Sequence, residues 1–174
     1  WGFIEALKIA VSADSYCYFY YQNNLAEIAK MNPAYLANAI SRAIALKKNV
    51  VETDEYDAGK RMILNFGHTL GHAFESGQNF AISHGKAVGL GMLAESTFSE
   101  HMGWSNGVRA SLEGPLAKLG VGPEWKNEPI DINALKYDKK NMENTLSLPV
   151  VTALGEHKIL NTSLKTLENF LNEN

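Results

Sequence analysis

Residues 61–75 place several side chains that can do chemistry within one short stretch of the chain. They are Arg61, Asn65, His68, His72 and Glu75. His84 follows soon afterwards, so three of the chain's five histidines lie close together in sequence. Glycines interleave with them, and a glycine lets another chain segment or a ligand approach the backbone closely. This combination indicates a metal site or a proton-transfer site rather than an ordinary core helix.

The two histidines His68 and His72 share one face if residues 65–78 are helical, because they are then one turn apart. This pair is compatible with two ligands of one metal ion, with one ligand and one proton shuttle, or with two incidental histidines. His84 is expected in the first turn of the next helix, where the positive end of the helix dipole disfavours an imidazolium. The neutral imidazole that remains is the form that binds metals.

The elements that must position these groups are predicted to be helices. Apolar residues recur at helical spacing along most of the chain, and Asn32 followed by Pro33 is a typical helix start. The predicted helices cover residues 3–12, 16–22, 25–30, 33–51, 65–78, 86–101, 105–119, 131–137 and a final segment to 171, capped by Asn161, Thr162 and Ser163. Two apolar segments near residues 146–160 predict at most a small β-hairpin around Gly155. We therefore expect a mainly α, multihelical fold in which residues 1–174 form one domain.

Several polar side chains along these helices have ordinary structural interpretations. Glu5 and Lys8 lie three residues apart, which by itself favours a solvated ion pair. Lys47 falls beside an apolar stripe, where a lysine usually extends its ammonium to water. The aromatic run from Tyr16 to Gln22 is expected to pack against a neighbouring helix. His101 and His157 are expected to face solvent without a function.

The composition excludes several classes of protein. The net charge is −3, and acids and bases are mixed along the 174 residues, which argues against a nucleic-acid or anionic-membrane binder. No apolar run reaches the roughly 20 residues of a membrane span. Cys17 is the only cysteine and no signal peptide opens the chain, so we expect a reducing, cytoplasmic location. The opening residues, from Trp1 to Glu5, are typical of the middle of a protein and predict an excised domain.

Six segments, in this order and spacing, resemble the C-terminal domain of the 3-dehydroquinate synthase family. They are Gly2–Lys8, Lys47–Val51, Asp54–Arg61, Leu64–Ala73, His84–Val88 and Asp138–Lys140. The stretch from Asn65 to Ala73 is the most specific of them, and the resemblance covers nearly the whole chain. It implies a lyase of the shikimate pathway that converts 3-deoxy-D-arabino-heptulosonate 7-phosphate to 3-dehydroquinate and phosphate, leading to aromatic amino acids through chorismate.

The same resemblance implies the cofactors and partners. They are zinc (or cobalt), NAD, and an N-terminal α/β domain that supplies most of the NAD site. No glycine-rich strand-turn-helix fingerprint precedes Glu5, so this chain is expected to be the metal and substrate half, inactive alone. A homodimer is expected for the intact enzyme.

Roles for single residues also follow from the resemblance alone. Glu5, His68 and His84 match the metal ligands, and His72 matches a histidine placed for proton transfer. The positions expected to contact the phosphorylated sugar-acid substrate are Lys8, Lys47, Arg61, Asn65, His72 and one of Lys139 and Lys140; Lys8, Arg61 and Asn65 are also expected in catalysis. The chain departs from the family pattern at Asp57, usually glutamate, and at Lys60, usually apolar.

Three other functions are compatible with these residues. Another sugar-phosphate cyclase, such as a 2-deoxy-scyllo-inosose synthase-like enzyme, would share the metal, NAD and most of the site. The Leu64–Asn65 pair together with the Asp138–Lys140 segment favours dehydroquinate synthase. A metal-dependent alcohol dehydrogenase does not eliminate phosphate, so it would not need the cations at Lys8, Lys47, Arg61 and Lys139 or Lys140. A helical metal-binding or interaction domain that kept the motif would lack catalysis altogether.

Overall fold

The computed structural model describes residues 2–54, 59–137 and 145–173. In these ranges the chain forms seven α-helices, two strands and three short 3-10 turns. The helices are α1 (Gly2–Ala13), α2 (Ser15–Ala29), α3 (Pro33–Thr53), α4 (His68–Gly77), α5 (His84–His101), α6 (Val108–Lys118) and α7 (Leu164–Glu173). The strands are β1 (Thr145–Ala153) and β2 (Glu156–Ser163), and the 3-10 turns are Lys60–Asn65, Trp125–Asn127 and Ile132–Tyr137. The predicted mainly α fold with a small hairpin is confirmed.

The helix α5 lies at the centre of the fold. It is buried along nearly its whole length and contacts α1, α4, α6 and β1. Its small residues allow these neighbours to approach closely, most of all α4. A Cβ added at Gly91 would overlap the carbonyl oxygen of Gly67, which lies just before α4. Glycine is therefore required at position 91 for α4 and α5 to pack as they do.

The two strands pair antiparallel in one hairpin. Leu146, Leu148 and Val150 alternate along β1 and are all buried, so the side of β1 that carries them faces the helical core. Gly155 occupies the connecting turn with φ 80°, a backbone conformation that favours glycine. None of the helices in the three described ranges combines the length and apolar character needed to cross a bilayer.

Side-chain caps mark the starts of α2 and α3, the second of them at the predicted Asn32–Pro33 position. Asp14 accepts a hydrogen bond from the backbone N–H of Cys17 at 2.9 Å and begins α2. Asn32 accepts one from Ala34, with Pro33 in the first turn of α3. Such caps satisfy N–H groups that have no partner within the helix. Within the aromatic run, Tyr18 and Tyr21 are buried in the core as expected, whereas Tyr16 and Phe19 are exposed.

Other predicted boundaries are wrong for local reasons. The two helices predicted for residues 16–22 and 25–30 are one helix, α2 (Ser15–Ala29), because Asn24 donates to the Tyr20 carbonyl within it and caps no new helix. The helix predicted from residue 65 begins at His68, after Gly67 adopts a left-handed conformation with φ 77°. The next helix begins at His84 behind the cap Ser83, so His84 lies in its first turn as expected.

Three further differences lie later in the chain. The helix predicted from residue 105 begins at Val108 and accommodates Pro115 within it. Residues 161–163 belong to β2, although Ser163 still caps α7 through a hydrogen bond from Thr166 N–H. His157 is not fully exposed: its Nδ1 lies 3.0 Å from the Ser12 carbonyl oxygen and ties β2 to α1.

Candidate metal centre

Three different helices bring one carboxylate and two imidazoles together. Glu5 lies in the first turn of α1, His68 is the first residue of α4, and His84 is the first residue of α5. The Glu5 Oε1 atom is 3.5 Å from His68 Nε2 and 3.7 Å from His84 Nε2. One ligand atom from each residue lies within 4.8 Å of the other two. The close packing of α4 on α5 thus places both imidazoles beside the start of α1.

One oxygen of the partly buried Glu5 carboxylate lacks a hydrogen-bond partner among the described residues. Its Oε2 accepts a hydrogen bond from Lys8 Nζ at 2.7 Å, whereas Oε1 is buried and has no hydrogen-bond partner among the described residues. An unsatisfied buried carboxylate oxygen is unfavourable unless a cation or a donor completes it. Four ligands at about 2.0–2.1 Å around a tetrahedral zinc ion lie about 3.3 Å apart, close to the distances seen here. The donor set therefore fits a divalent zinc-like ion.

The His68 ring is held in the orientation that a metal ligand requires. Its Nδ1 lies 3.3 Å from the Phe66 carbonyl oxygen. A carbonyl can only accept, so Nδ1 carries the proton and the lone pair of Nε2 faces Glu5. Burial and, after it, the nearby Lys8 cation lower the pKa of His68 to about 4, against the raising effect of the Glu5 carboxylate. The imidazole is therefore neutral near pH 7, which is the form that binds a metal ion.

Lys8 is buried beside this centre. The prediction of a solvated ion pair between Glu5 and Lys8 is therefore wrong. Only 3% of it is exposed, and its Nζ donates to Glu5 and to the carbonyl oxygen of Leu64. Burial lowers the pKa of Lys8, against the raising effect of the Glu5 carboxylate. For Glu5, burial raises the pKa, but the charge of Lys8 and its hydrogen bond outweigh it and the net shift is downward. Lys8 thus keeps Glu5 ionised in a partly buried position.

An open cleft of about 420 Å³ adjoins two of the three ligand candidates, Glu5 and His68. Its lining consists of Glu5, Lys8, Ile9, Lys47, Arg61, Leu64, Asn65 and His68. All three cations predicted to contact substrate within the described ranges therefore face one space. Arg61 is carried there by the 3-10 turn before α4, which Asp54 holds by accepting hydrogen bonds from the N–H groups of Gly59 and Arg61. Clustered lysine and arginine side chains favour phosphate and carboxylate groups.

The other predicted site residues have different positions. His72 is exposed, with its ring centroid 5.8 Å from that of His68 and 6.2 Å from that of His84. It therefore lies next to the ligand candidates without lining the cleft. Lys139, Lys140 and Asp57 lie outside the described residues, and only the backbone of Lys60 is described. His101 is exposed at the end of α5, with its ring against Phe170.

Glu95 is a part of this region that the sequence analysis missed. It is buried in α5 and accepts hydrogen bonds from the backbone N–H groups of Gly67 at 2.7 Å and Leu70 at 3.1 Å. These N–H groups flank His68 at the start of α4, which has no side-chain cap of its own. Burial raises the pKa of Glu95 to about 7, although these N–H donors favour the ionised form. The sequence contains one indication of a special role for Glu95, because it is the only acidic residue between Ala87 and Ser99.

We expect Glu95 to give the metal-free chain a specific pH dependence of stability. The pKa of its carboxyl is about 7 when folded and 4.5 when unfolded, so its contribution to stability is present below pH 4.5 and is lost as the pH rises to about 7. Relative to Glu95→Gln, the wild-type free energy of unfolding should fall by about 3 kcal/mol across that range. Urea unfolding at several pH values measures this difference. Parallel pH curves for the two proteins would contradict it, and Glu113→Gln on α6 is the control.

The sequence comparisons agree on one family. The family model described as 3-dehydroquinate synthase C-terminal matches residues 2–141. The 3-dehydroquinate synthase of Sulfolobus acidocaldarius is 33% identical over 177 residues, covering 97% of this chain and 50% of that enzyme. That of Clostridium perfringens is 40% identical over 127 residues, covering 71% of this chain and 36% of that enzyme. The chain thus spans about half the length, or less, of the curated relatives it matches.

Solved structures share the fold at lower identity. A 2-epi-5-epi-valiolone synthase from Streptomyces hygroscopicus, with NAD+ and Zn2+ bound, superposes with a TM-score of 0.81 at 18% identity, covering 99% of this chain and 49% of that one. A 2-deoxy-scyllo-inosose synthase, complexed with carbaglucose-6-phosphate, NAD+ and Co2+, gives 0.72 at 19% identity, covering 99% and 50%. At such identities the likeness concerns the fold.

Proposed function

The chain belongs to the 3-dehydroquinate synthase C-terminal family, and on that premise we propose that it is the metal- and substrate-binding half of a 3-dehydroquinate synthase. The complete enzyme would be a lyase that converts 3-deoxy-D-arabino-heptulosonate 7-phosphate to 3-dehydroquinate and inorganic phosphate. The observation that supports this most is the unsatisfied Glu5 Oε1 between two imidazole nitrogens, at the edge of a cleft with three cations. Neither a dehydrogenase without phosphate chemistry nor a structural metal site would need those cations.

Glu5, His68 and His84 are proposed to hold the divalent ion, zinc or cobalt. Two imidazoles and one carboxylate leave a coordination position open for substrate, as in catalytic rather than structural zinc sites. A bound ion would supply polarisation of a secondary alcohol of the substrate there, and NAD would supply the hydride acceptor. The half-buried position of Glu5 and the neutral state of His68 prepare both groups for this role before any ion arrives.

The cations of the cleft are proposed to bind the two anionic groups of the substrate. Lys8 has three N–H donors and, among the described residues, gives one each to Glu5 and Leu64, which leaves a third for a ligand. Lys47 reaches the cleft from exposed α3, and Arg61 offers a planar fork that matches phosphate or carboxylate. Asn65 can both donate to and accept from sugar hydroxyls. One of Lys139 and Lys140 is proposed to contribute as well.

His72 is proposed to move protons near the reacting carbons. It lies one helical turn after His68, exposed to solvent and beside the ligand candidates. A histidine can accept or donate a proton near neutral pH, which suits the acid–base steps around phosphate elimination and ring closure. The NAD site, a homodimeric assembly and a cytoplasmic location are proposed for the complete enzyme, with most of the NAD site in the other half.

The proposal predicts NAD-dependent phosphate release by the complete enzyme, in which a nucleotide-binding half precedes this chain. Phosphate release is measured from the heptulosonate phosphate and, in parallel, from glucose 6-phosphate. We expect turnover of the former only, lost on omission of NAD or on chelation of the metal. The 174-residue chain alone should be inactive. Preference for glucose 6-phosphate would instead assign a 2-deoxy-scyllo-inosose synthase activity, and turnover without NAD or metal would contradict the proposal.

A further inference from the structure

The imidazole of His84 lies between two carboxylates that belong to different helices. Its Nε2 lies 3.7 Å from Glu5 Oε1 of α1, and its Nδ1 lies 3.2 Å from Glu75 Oε1 of α4. About half of the His84 side chain is exposed, 51%, whereas only 14% of the Glu75 side chain is exposed. Glu75 is therefore the better buried group, and it can anchor the more exposed ring of His84.

The position of Glu75 ties together the two helices that carry the imidazoles. Glu75 lies two turns after His68 on α4, and its contact with His84 reaches across to the first residue of α5. In the described ranges, Glu75 is the hydrogen-bond acceptor found at His84 Nδ1. The corresponding anchor of His68 is the Phe66 carbonyl at its own Nδ1. Each imidazole thus has an acceptor on the side away from Glu5.

Glu75 also belongs to a second group of possible metal ligands, with His72 and His84. The two groups compete, because both require His84. One proton between His84 Nδ1 and Glu75 satisfies both atoms at 3.2 Å, whereas an ion there would make one imidazole serve two cations. A metal-bound histidine commonly donates its other N–H to a carboxylate, which fixes the tautomer and makes the ligand more basic. The geometry favours this arrangement over a second metal site.

We propose that Glu75 is a positioning residue for the metal centre. It accepts the Nδ1–H of His84, so that the Nε2 lone pair faces Glu5 and His68. This inference rests on the metal centre of the proposed function, since His84 has to be one of its ligands. Glu75 touches neither substrate nor ion in this arrangement and acts only through the ring it holds.

The test is Co2+ binding to the 174-residue chain, measured by titration and by the visible absorption of the bound ion. Glu75→Ala is expected to weaken Co2+ affinity by about 10–100-fold and to shift the absorption bands of the saturated protein. Glu75→Gln should recover part of the affinity, because its amide oxygen still accepts from Nδ1–H. Glu113→Ala, which removes a carboxylate paired with Arg109 on α6, should match the wild type. Thermal unfolding without metal checks that the variants fold. If Glu75→Ala does not fold, the Co2+ affinity and spectrum of Glu75→Gln are compared with those of the wild type instead.

Two results would overturn the inference. Unchanged affinity and spectrum in Glu75→Ala would show that the carboxylate does not orient a ligand. A second equivalent of Co2+ that the wild type binds and Glu75→Ala loses would make Glu75 a ligand instead. A parallel His84→Ala titration separates this failure from that of the proposed function. If His84→Ala loses Co2+ while Glu75→Ala keeps it, the metal centre stands and only the positioning role fails; if His84→Ala also keeps it, both fail.

Discussion

Replacing His68 or His84 by alanine is expected to abolish stoichiometric zinc in the complete enzyme. Each substitution removes one of the two imidazole nitrogens that lie 3.5 and 3.7 Å from Glu5 Oε1. The two protein ligands that remain are too few to hold the ion, because catalytic zinc sites use three protein ligands. Zinc content after extensive dialysis, measured by elemental analysis against protein concentration, gives the stoichiometry directly.

The matched control for these substitutions is His101→Ala. His101 is a histidine of the same helix as His84, exposed at its other end, so its removal tests whether loss of any histidine lowers zinc content. We expect His101→Ala to keep one zinc ion for each chain. Full zinc retention in either His68→Ala or His84→Ala would remove the ligand assignment, whatever the activity of the variants.

His72→Ala is expected to keep the metal but to lose most turnover in the complete enzyme. The ring of His72 lies beside both proposed ligands, yet it is absent from the group formed around Glu5 Oε1. A positioned acid–base group contributes about 10²–10⁴-fold, so kcat should fall by that factor. Steady-state phosphate release together with zinc content measures both effects on one preparation.

The split between metal content and rate distinguishes this role from the alternatives. Unchanged kcat in His72→Ala would rule out proton transfer by this residue. Loss of zinc along with activity would make His72 a ligand, one of the possibilities that the spacing of His68 and His72 leaves open. His101→Ala again serves as the control, since it removes an exposed imidazole outside the site.

The fold was largely predictable because its signals are local. Asp14 and Asn32 cap helices through their own side chains, and the apolar segments around Gly155 form the predicted hairpin. Boundaries failed where a local rule was overridden by neighbouring structure. Asn24 bonds back to Tyr20 and continues α2, and the left-handed Gly67 delays the start of α4. Such choices depend on contacts that single residues do not reveal.

The site was predictable only in part, because its residues come from distant parts of the chain. Periodicity indicates that His68 and His72 share a face, but it does not indicate which of them meets Glu5. That assignment came from the family resemblance. The burial of Lys8, the contact between Glu75 and His84, and the hydrogen bonds that Glu95 accepts from the start of α4 are tertiary effects. They follow from the packing of α1, α4 and α5, which no local pattern encodes.

The most direct test of the account is a crystal structure of the zinc-loaded chain, with data collected at the zinc absorption edge. We expect one anomalous peak bonded to a Glu5 carboxylate oxygen, His68 Nε2 and His84 Nε2 at about 2.0–2.2 Å. A zinc ion bound elsewhere, with the Glu5 side chain turned away from both imidazoles, would contradict the account.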